Sequence, residues 1–187
     1  MNPSAEDIKE AIERAPSEHV IVLPNNKNIV LAAEQAGKLS GKEVVVIPSR
    51  TFPQGLSAML SYRGEDASLE ENEQAMKDAL QSVKSASVTT AVRDSHLNGE
   101  QIRQGEYLGI FEDTIISHGP DIRQTVGRLL EKMVTEEDAV ISFYSGAETT
   151  QEDAQVLVSE MAEKFSDFDT ELYEGGQPVY HYILSVE

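Results

Sequence analysis

Cysteine is absent from the 187 residues, and so is tryptophan. Without thiols there are no disulfides, no thiolate metal sites and no thiol redox chemistry, a pattern compatible with a cytoplasmic location. Cations are scarce as well: 15 Lys and Arg stand against 33 Asp and Glu, a net charge of −18. Such a field repels nucleic acid and anionic membrane surfaces, so neither is expected as a partner. No apolar run approaches the ~18 residues that would suggest a membrane span, so no membrane insertion is expected, and the charged first helix does not read as a signal sequence. The motifs Gly-x-x-x-x-Gly-Lys-Ser/Thr, Gly-x-Gly-x-x-Gly and Gly-x-Ser-x-Gly are all missing, which removes the usual phosphate-cradling loops and the hydrolase elbow. The histidines, His19, His96, His118 and His181, have no histidine partner at i,i+3 or i,i+4 and no Glu at metalloprotease spacing. No metal site is expected from them.

What is present begins with Val20-Ile-Val-Leu23, four apolar residues ending at Pro24 and the loop Asn25-Asn26-Lys27-Asn28, followed by the apolar-periodic run Ile29 to Leu39. This describes a buried strand feeding a helix N-terminus, where unpaired backbone N–H groups and the macrodipole favour a negative group. Asn25, Asn26, Lys27 and Asn28 add side-chain donors. The competing structural reading makes Asn28 an N-cap and Asn25 and Asn26 turn residues. A second strand, Glu43 to Ile47, completes a strand, helix, strand unit of the parallel, right-handed kind. Its loop, Pro48 to Gly55, sets Ser49, Arg50, Thr51, Phe52 and Gln54 at the same sheet edge, with a helix expected over Leu56 to Tyr62. Ligands of open parallel sheets sit at such an edge, although a Pro-bounded turn with a solvated arginine also accounts for it.

Around this unit, Ser4 and Asp7 have capping-box spacing before a lead-in helix, and Ser68 and Glu71 repeat it before a helix expected to run to about Lys84. At Ser85 the period changes to strand alternation, which places a boundary between an α/β lobe, residues 1–84, and an α+β lobe, residues 85–187. The second lobe reads as strands around Gln101 to Gln104, Glu106 to Phe111 and Thr114 to Ser117 in an antiparallel meander, with turns at Asn98-Gly99, Gln104-Gly105 and Glu112-Asp113. A helix over Asp121 to Val134, a strand over Ala139 to Tyr144, a helix capped by Thr150 with Asp153, and strands over Thr170 to Tyr173 and Val179 to Val186 follow. Two further spots could serve a site. Arg93-Asp94 end the alternating strand, where an ion pair or loop cap is the plainer reading; Gly175-Gly176-Gln177-Pro178 permits positive φ or close backbone approach, as would any hairpin turn.

Leu23-Pro-Asn-Asn-Lys-Asn28, Pro48-Ser-Arg-Thr-Phe-Pro-Gln-Gly55, Ala91-Val-Arg-Asp94 and the ending Gly175 to Glu187 occur in an order that closely resembles the C-terminal region of the A-type subunit of fatty acid kinase, a bacterial dihydroxyacetone-kinase-like family. The resemblance implies that the full-length protein carries an N-terminal domain using ATP and magnesium and a middle domain with cysteine and histidine, both outside this chain. It would make the chain an excised domain beginning at an added or internal Met1, with no catalytic residue and no cofactor of its own. It further implies a domain that docks a separate acyl-carrying subunit, whose fatty acid the kinase domain phosphorylates for phospholipid synthesis, and a fold related to the DegV-like fatty-acid-binding proteins, two lobes with a cleft. The Ser/Thr-rich loop and His-Gly-Pro-Gly ending of a fatty-acid carrier are replaced here by Asn25 to Asn28 and Gly175 to Pro178. From a different class comes the alternative that the domain is itself a small-molecule binder, with Asn25, Asn26, Lys27, Ser49, Arg50 and Gln177 around an anionic or acyl ligand.

Overall fold

The Ser4 side chain accepts the Asp7 N–H while the Asp7 carboxylate accepts the Ser4 N–H, and this box opens α1 (Ala5–Arg14) with Ile8 and Ile12 turned inward. The computed structural model describes residues 2–97 and 99–187. Met1 and Asn98 of the expected Asn98-Gly99 turn lie outside the described residues. The chain divides into two compact units, the first ending at Val83 and the second beginning at Lys84.

In the first unit β1 (His19–Val22), α2 (Lys27–Leu39) and β2 (Glu43–Val46) form the parallel pair expected, with His19 opposite Glu43 and Val22 opposite Val46. Because successive strand side chains point to opposite faces, the two strands feed two cores. Val20, Val22, Val44 and Val46 pack on Ile8, Ile12, Ile29, Ala33 and Ala36 of α1 and α2. Ile21, Leu23, Val45 and Ile47 pack with Ala58, Met76 and Leu80 on α3 (Phe52–Leu60) and the end of α4 (Leu69–Ala79). Covering both faces explains why both strands are continuous apolar runs.

In the second unit β3 (Lys84–Thr90), β6 (Tyr107–Phe111), β7 (Thr114–Gly119), β8 (Val140–Ser145), β9 (Asp169–Glu174) and β10 (Tyr182–Val186) form one sheet in the order β7-β6-β3-β10-β8-β9. Among the described residues of this sheet β8 and β9 alone pair in parallel; the other contacts are antiparallel. The parallel pair is joined by α6 (Gln151–Lys164), and with α5 (Ile122–Met133) it covers one face, burying Val126, Leu129, Leu130, Leu157 and Met161 against Val88, Ile141, Phe143 and Leu184. The mixed sheet with two covering helices is the α+β arrangement expected for this half, so the chain as a whole is a mixed α/β fold. Tyr182 is buried in this core, where desolvation pushes its phenol up to about 12.

Several boundaries differ from the sequence expectation. The α2 cap is Asn26, not Asn28: Asn26 Oδ1 accepts the Asn28 N–H at 2.9 Å. Helix α3 begins at Phe52, because Thr51 caps it and Pro53 fits the first turn, where its missing N–H is no loss. Helix α4 stops at Ala79 and the strand starts at Lys84. The meander is interrupted: β4 (Ser95–Leu97) and β5 (Glu100–Ile102) pair with each other as a separate hairpin, so the main sheet holds only β6 and β7 of that stretch. The last strand starts at Tyr182, three residues late, since Val179 sits at φ 75, a conformation that breaks a strand. His181 therefore precedes the strand, its Nε2 2.8 Å from Thr90 Oγ1 and its ring edge-on to Tyr107.

Candidate functional site

The corner at the ends of β1 and β2 forms as the two loops close on each other. Asn25 adopts φ 54, which asparagine tolerates better than most residues. Its N–H donates to Ser49 Oγ at 3.0 Å, and Ser49 Oγ donates back to Asn25 Oδ1 at 2.8 Å. Ser49 is fully buried. Gly55, in the first turn of α3, lies directly beneath the Asn25 amide, so a Cβ there would be driven into Oδ1 and lie 2.6 Å from Cγ. Thr51 Oγ1 accepts the Gln54 N–H at 3.4 Å, Gln54 Oε1 accepts the Arg50 N–H at 2.9 Å, and Gln54 Nε2 donates to the Leu80 carbonyl at 3.4 Å.

The structure thus brings Asn25, Ser49, Thr51 and Gln54 together, but their polar atoms bind one another and the backbone. Asn26 is occupied as the cap, with its Nδ2 3.4 Å from Asn2 Oδ1. Lys27, Asn28, Arg50 and Phe52 are exposed. A corner filled in this way holds its own loops.

The remaining candidates belong to the second unit. Asp94 Oδ1 accepts the Gln104 N–H at 2.7 Å, a loop cap beside the β4–β5 hairpin, and Arg93 is exposed. Gly175 and Gly176 both donate their N–H groups to the Ser145 carbonyl at 2.9 Å, and Gln177 Nε2 donates to the Tyr144 carbonyl at 2.8 Å. Gly176 uses positive φ, 65, and a Cβ at Gly146 would strike the Tyr180 carbonyl. The glycine turn is a wrap over the end of β8. Beside it Tyr144 stacks on Tyr173 at 5.4 Å. Burial pushes the Tyr144 phenol up, and the hydrogen bond that Tyr173 donates to Glu171 at 2.8 Å holds its proton as well.

Two features were missed in the sequence. His118 is bracketed by carboxylates, Glu106 at Nδ1 and Glu100 at Nε2, both at 3.1 Å; the tertiary fold brings β7, the residue before β6 and the β4–β5 hairpin together here, and no local spacing announces it. Among the described residues no group of three or more His, Cys, Asp or Glu is arranged to hold a metal ion. The second feature is the outward face of α3, where Met59 is 55% and Leu60 77% exposed. Its signal was available: Phe52, Leu56, Met59 and Leu60 fall at i, i+4, i+7 and i+8. Among the described residues no helix is long and apolar enough to cross a membrane.

Structural similarity extends to the Fatty Acid Kinase (Fak) B3 protein of Streptococcus pneumoniae loaded with linoleic acid, with a TM-score of 0.68 at 14% identity over 99% of this chain and 76% of that one. A DegV lipid binding protein from Thermotoga maritima matches at a TM-score of 0.67 and 14% identity, covering 100% of this chain and 76% of that one. The dihydroxyacetone kinase of C. freundii in complex with AMP-PNP and Mg2+ matches at 0.67 and 14%, covering 98% of this chain and 41% of that one. At these identities the likeness is one of fold. By sequence, an uncharacterized protein of Staphylococcus aureus (strain USA300) is 42% identical over 187 residues, which is 100% of this chain and 34% of that protein, and one from strain MRSA252 is 41% identical over the same span. The chain therefore spans about a third of the length of the curated relatives it matches. The family model for the C-terminal part of FakA-like fatty acid kinase proteins covers residues 1–187, and the chain belongs to that family.

Proposed function

We propose that this domain docks the acyl-carrying subunit of a two-component bacterial fatty acid kinase and presents its bound fatty acid to a kinase domain elsewhere in the longer protein. On this reading the domain performs no chemistry, ATP and magnesium are held by that other domain, and the product enters phospholipid synthesis. The observation that carries the reading is the combination of the family with a self-filled corner. A member of a fatty acid kinase family places the fold of fatty-acid-binding proteins here, yet Asn25, Ser49 and Gly55 close the strand-end corner on themselves. A DegV-like domain that does not spend its corner on a ligand still has a large, ordered surface to spend on a protein.

The same feature weakens the alternative of an anionic or acyl ligand at the strand-end loops. An anion there would have to displace hydrogen bonds already made, one of them to a fully buried hydroxyl, whose unmaking costs about 1–3 kcal/mol.

Calorimetric titration of the chain with the purified acyl-carrying subunit of the same organism, loaded with a fatty acid, tests the proposal. A dissociation constant in the tens of micromolar or tighter is expected, about −6 kcal/mol or better. Absence of heat at those concentrations defeats docking, and a co-purifying acyl chain on this domain in native mass spectrometry would revive the ligand-binding alternative.

A further inference from the structure

Helix α3 is built inside out. Its buried positions are Pro53, Gly55 and Ala58, small or compact, whereas Phe52, Met59 and Leu60 are 47%, 55% and 77% exposed, and Tyr62, just past its end, is 48% exposed. Large apolar side chains recurring on one outward face of a helix are a cost in water unless something covers them. The stretch is electrically distinct too. From Val44 to Gly64 there is no acidic residue, in a chain with 33 of them, and Arg50 and Arg63 stand near the two ends of the helix. Both ends are fastened. The Arg50 N–H is held by Gln54 Oε1 at 2.9 Å, and the Arg63 N–H by Oδ1 of the buried Asn72 at 2.8 Å, whose Nδ2 also reaches the Gly64 and Ser68 carbonyls. A surface fixed before contact loses little entropy on contact.

We infer that this face of α3, with Phe52, Met59, Leu60 and Tyr62 at its centre and Arg50 and Arg63 at its rim, is the seat of the acyl-carrying subunit. The inference rests on the docking role proposed above and adds the partner's complementary chemistry: an apolar patch bordered by carboxylates. Charge selects this occupant. A second copy would set arginine against arginine while bringing two −18 chains together, and two arginines in such a field are too few to hold an anionic lipid surface. A stretch of chain without acidic residues, carrying Arg50 and Arg63, meeting a partner's carboxylate rim gains attraction from both arginines, with the apolar centre supplying the affinity.

The test uses the whole 187-residue chain and the fatty-acid-loaded subunit of the same organism. Met59→Glu/Leu60→Glu should raise the dissociation constant at least tenfold, and Arg50→Glu/Arg63→Glu should raise it severalfold and flatten its dependence on salt. Should the first variant fail to fold, Leu60→Ser changes only a solvent-facing side chain, and hydrogen exchange of the unaltered chain gives an independent reading, with residues 56–63 slowed by the partner. If the unaltered chain binds and the variants bind equally with no protection at residues 56–63, the surface is wrong while docking stands; if the unaltered chain does not bind, docking itself fails. Sedimentation showing a dimer that Leu60→Ser abolishes would assign the face to a second copy. Flotation of the unaltered chain with phosphatidylglycerol vesicles, lost in Leu60→Ser, would assign it to lipid, and either result overturns the inference.

Discussion

At Gly55 a single missing carbon lets the strand-end corner close. The Asn25 amide occupies the space a Cβ would take, and Asn25 exchanges two hydrogen bonds with the buried Ser49. Gly55→Ala should expel the Asn25 side chain, leave the Ser49 hydroxyl without its acceptor and lower stability by about 1–3 kcal/mol. Urea unfolding followed in the first unit should show a lower midpoint at an unchanged slope; an unchanged midpoint would mean the corner has slack. The sequence singled out Asn25 and Ser49 as candidates for a ligand or partner, with a turn role for Asn25 as the plainer reading. In the structure they hydrogen-bond each other, and nothing in a one-dimensional pattern pairs two polar residues across an intervening helix and strand. By contrast Arg50 and Phe52, singled out on the same grounds, are exposed.

Elements were legible where the stabilising contact is local. The capping boxes of Ser4 with Asp7 and Ser68 with Glu71 are present, as is the Thr150 cap accepting the Asp153 N–H, since partners three residues apart are neighbours in any helix start. Ends set by distant contacts were misplaced. Strand β3 starts at Lys84, whose Nζ donates to both carboxylate oxygens of Asp138 at 2.9 and 2.7 Å and to Thr135 Oγ1 at 3.0 Å. Burial pushes the Asp138 carboxyl up, but the Lys84 bonds and those from the Thr135 N–H and hydroxyl outweigh it and hold the group below its ordinary value. A carboxyl depressed in the folded state binds its proton less readily than when unfolded, so its stabilisation is complete above the unfolded value and disappears as pH falls through the folded one. Asp138→Asn should therefore lower stability at pH 7 by about 1–3 kcal/mol. Thermal melts of the two proteins should converge as pH drops below about 4; a gap that persists there would assign the loss to packing instead of charge.

For the molecule as a whole, the chain should transfer no phosphate by itself. It carries none of the phosphate-cradling motifs, and its described residues hold no cluster suited to a metal. Incubated with ATP, magnesium and the fatty-acid-loaded subunit, it should yield acyl phosphate no faster than a protein-free control, and any excess would refute the division of labour proposed here. The sequence by itself determined the element order apart from β4, the parallel β1–β2 pair, the change from helix to strand period near residue 84 and the family. These follow from periodicity, caps and turn residues, which act over a few positions, and from motifs kept in order along the chain. Only the tertiary structure decided that β10 lies between β3 and β8, that β4 and β5 leave the main sheet, that the corner donors satisfy one another, and that α3 turns its large residues outward. Each of those depends on which surfaces meet. The apolar period of α3 gives the direction of a face but not whether that face meets the core or the solvent, and here Ile47, Ala58 and Met76 had already filled the core beneath it.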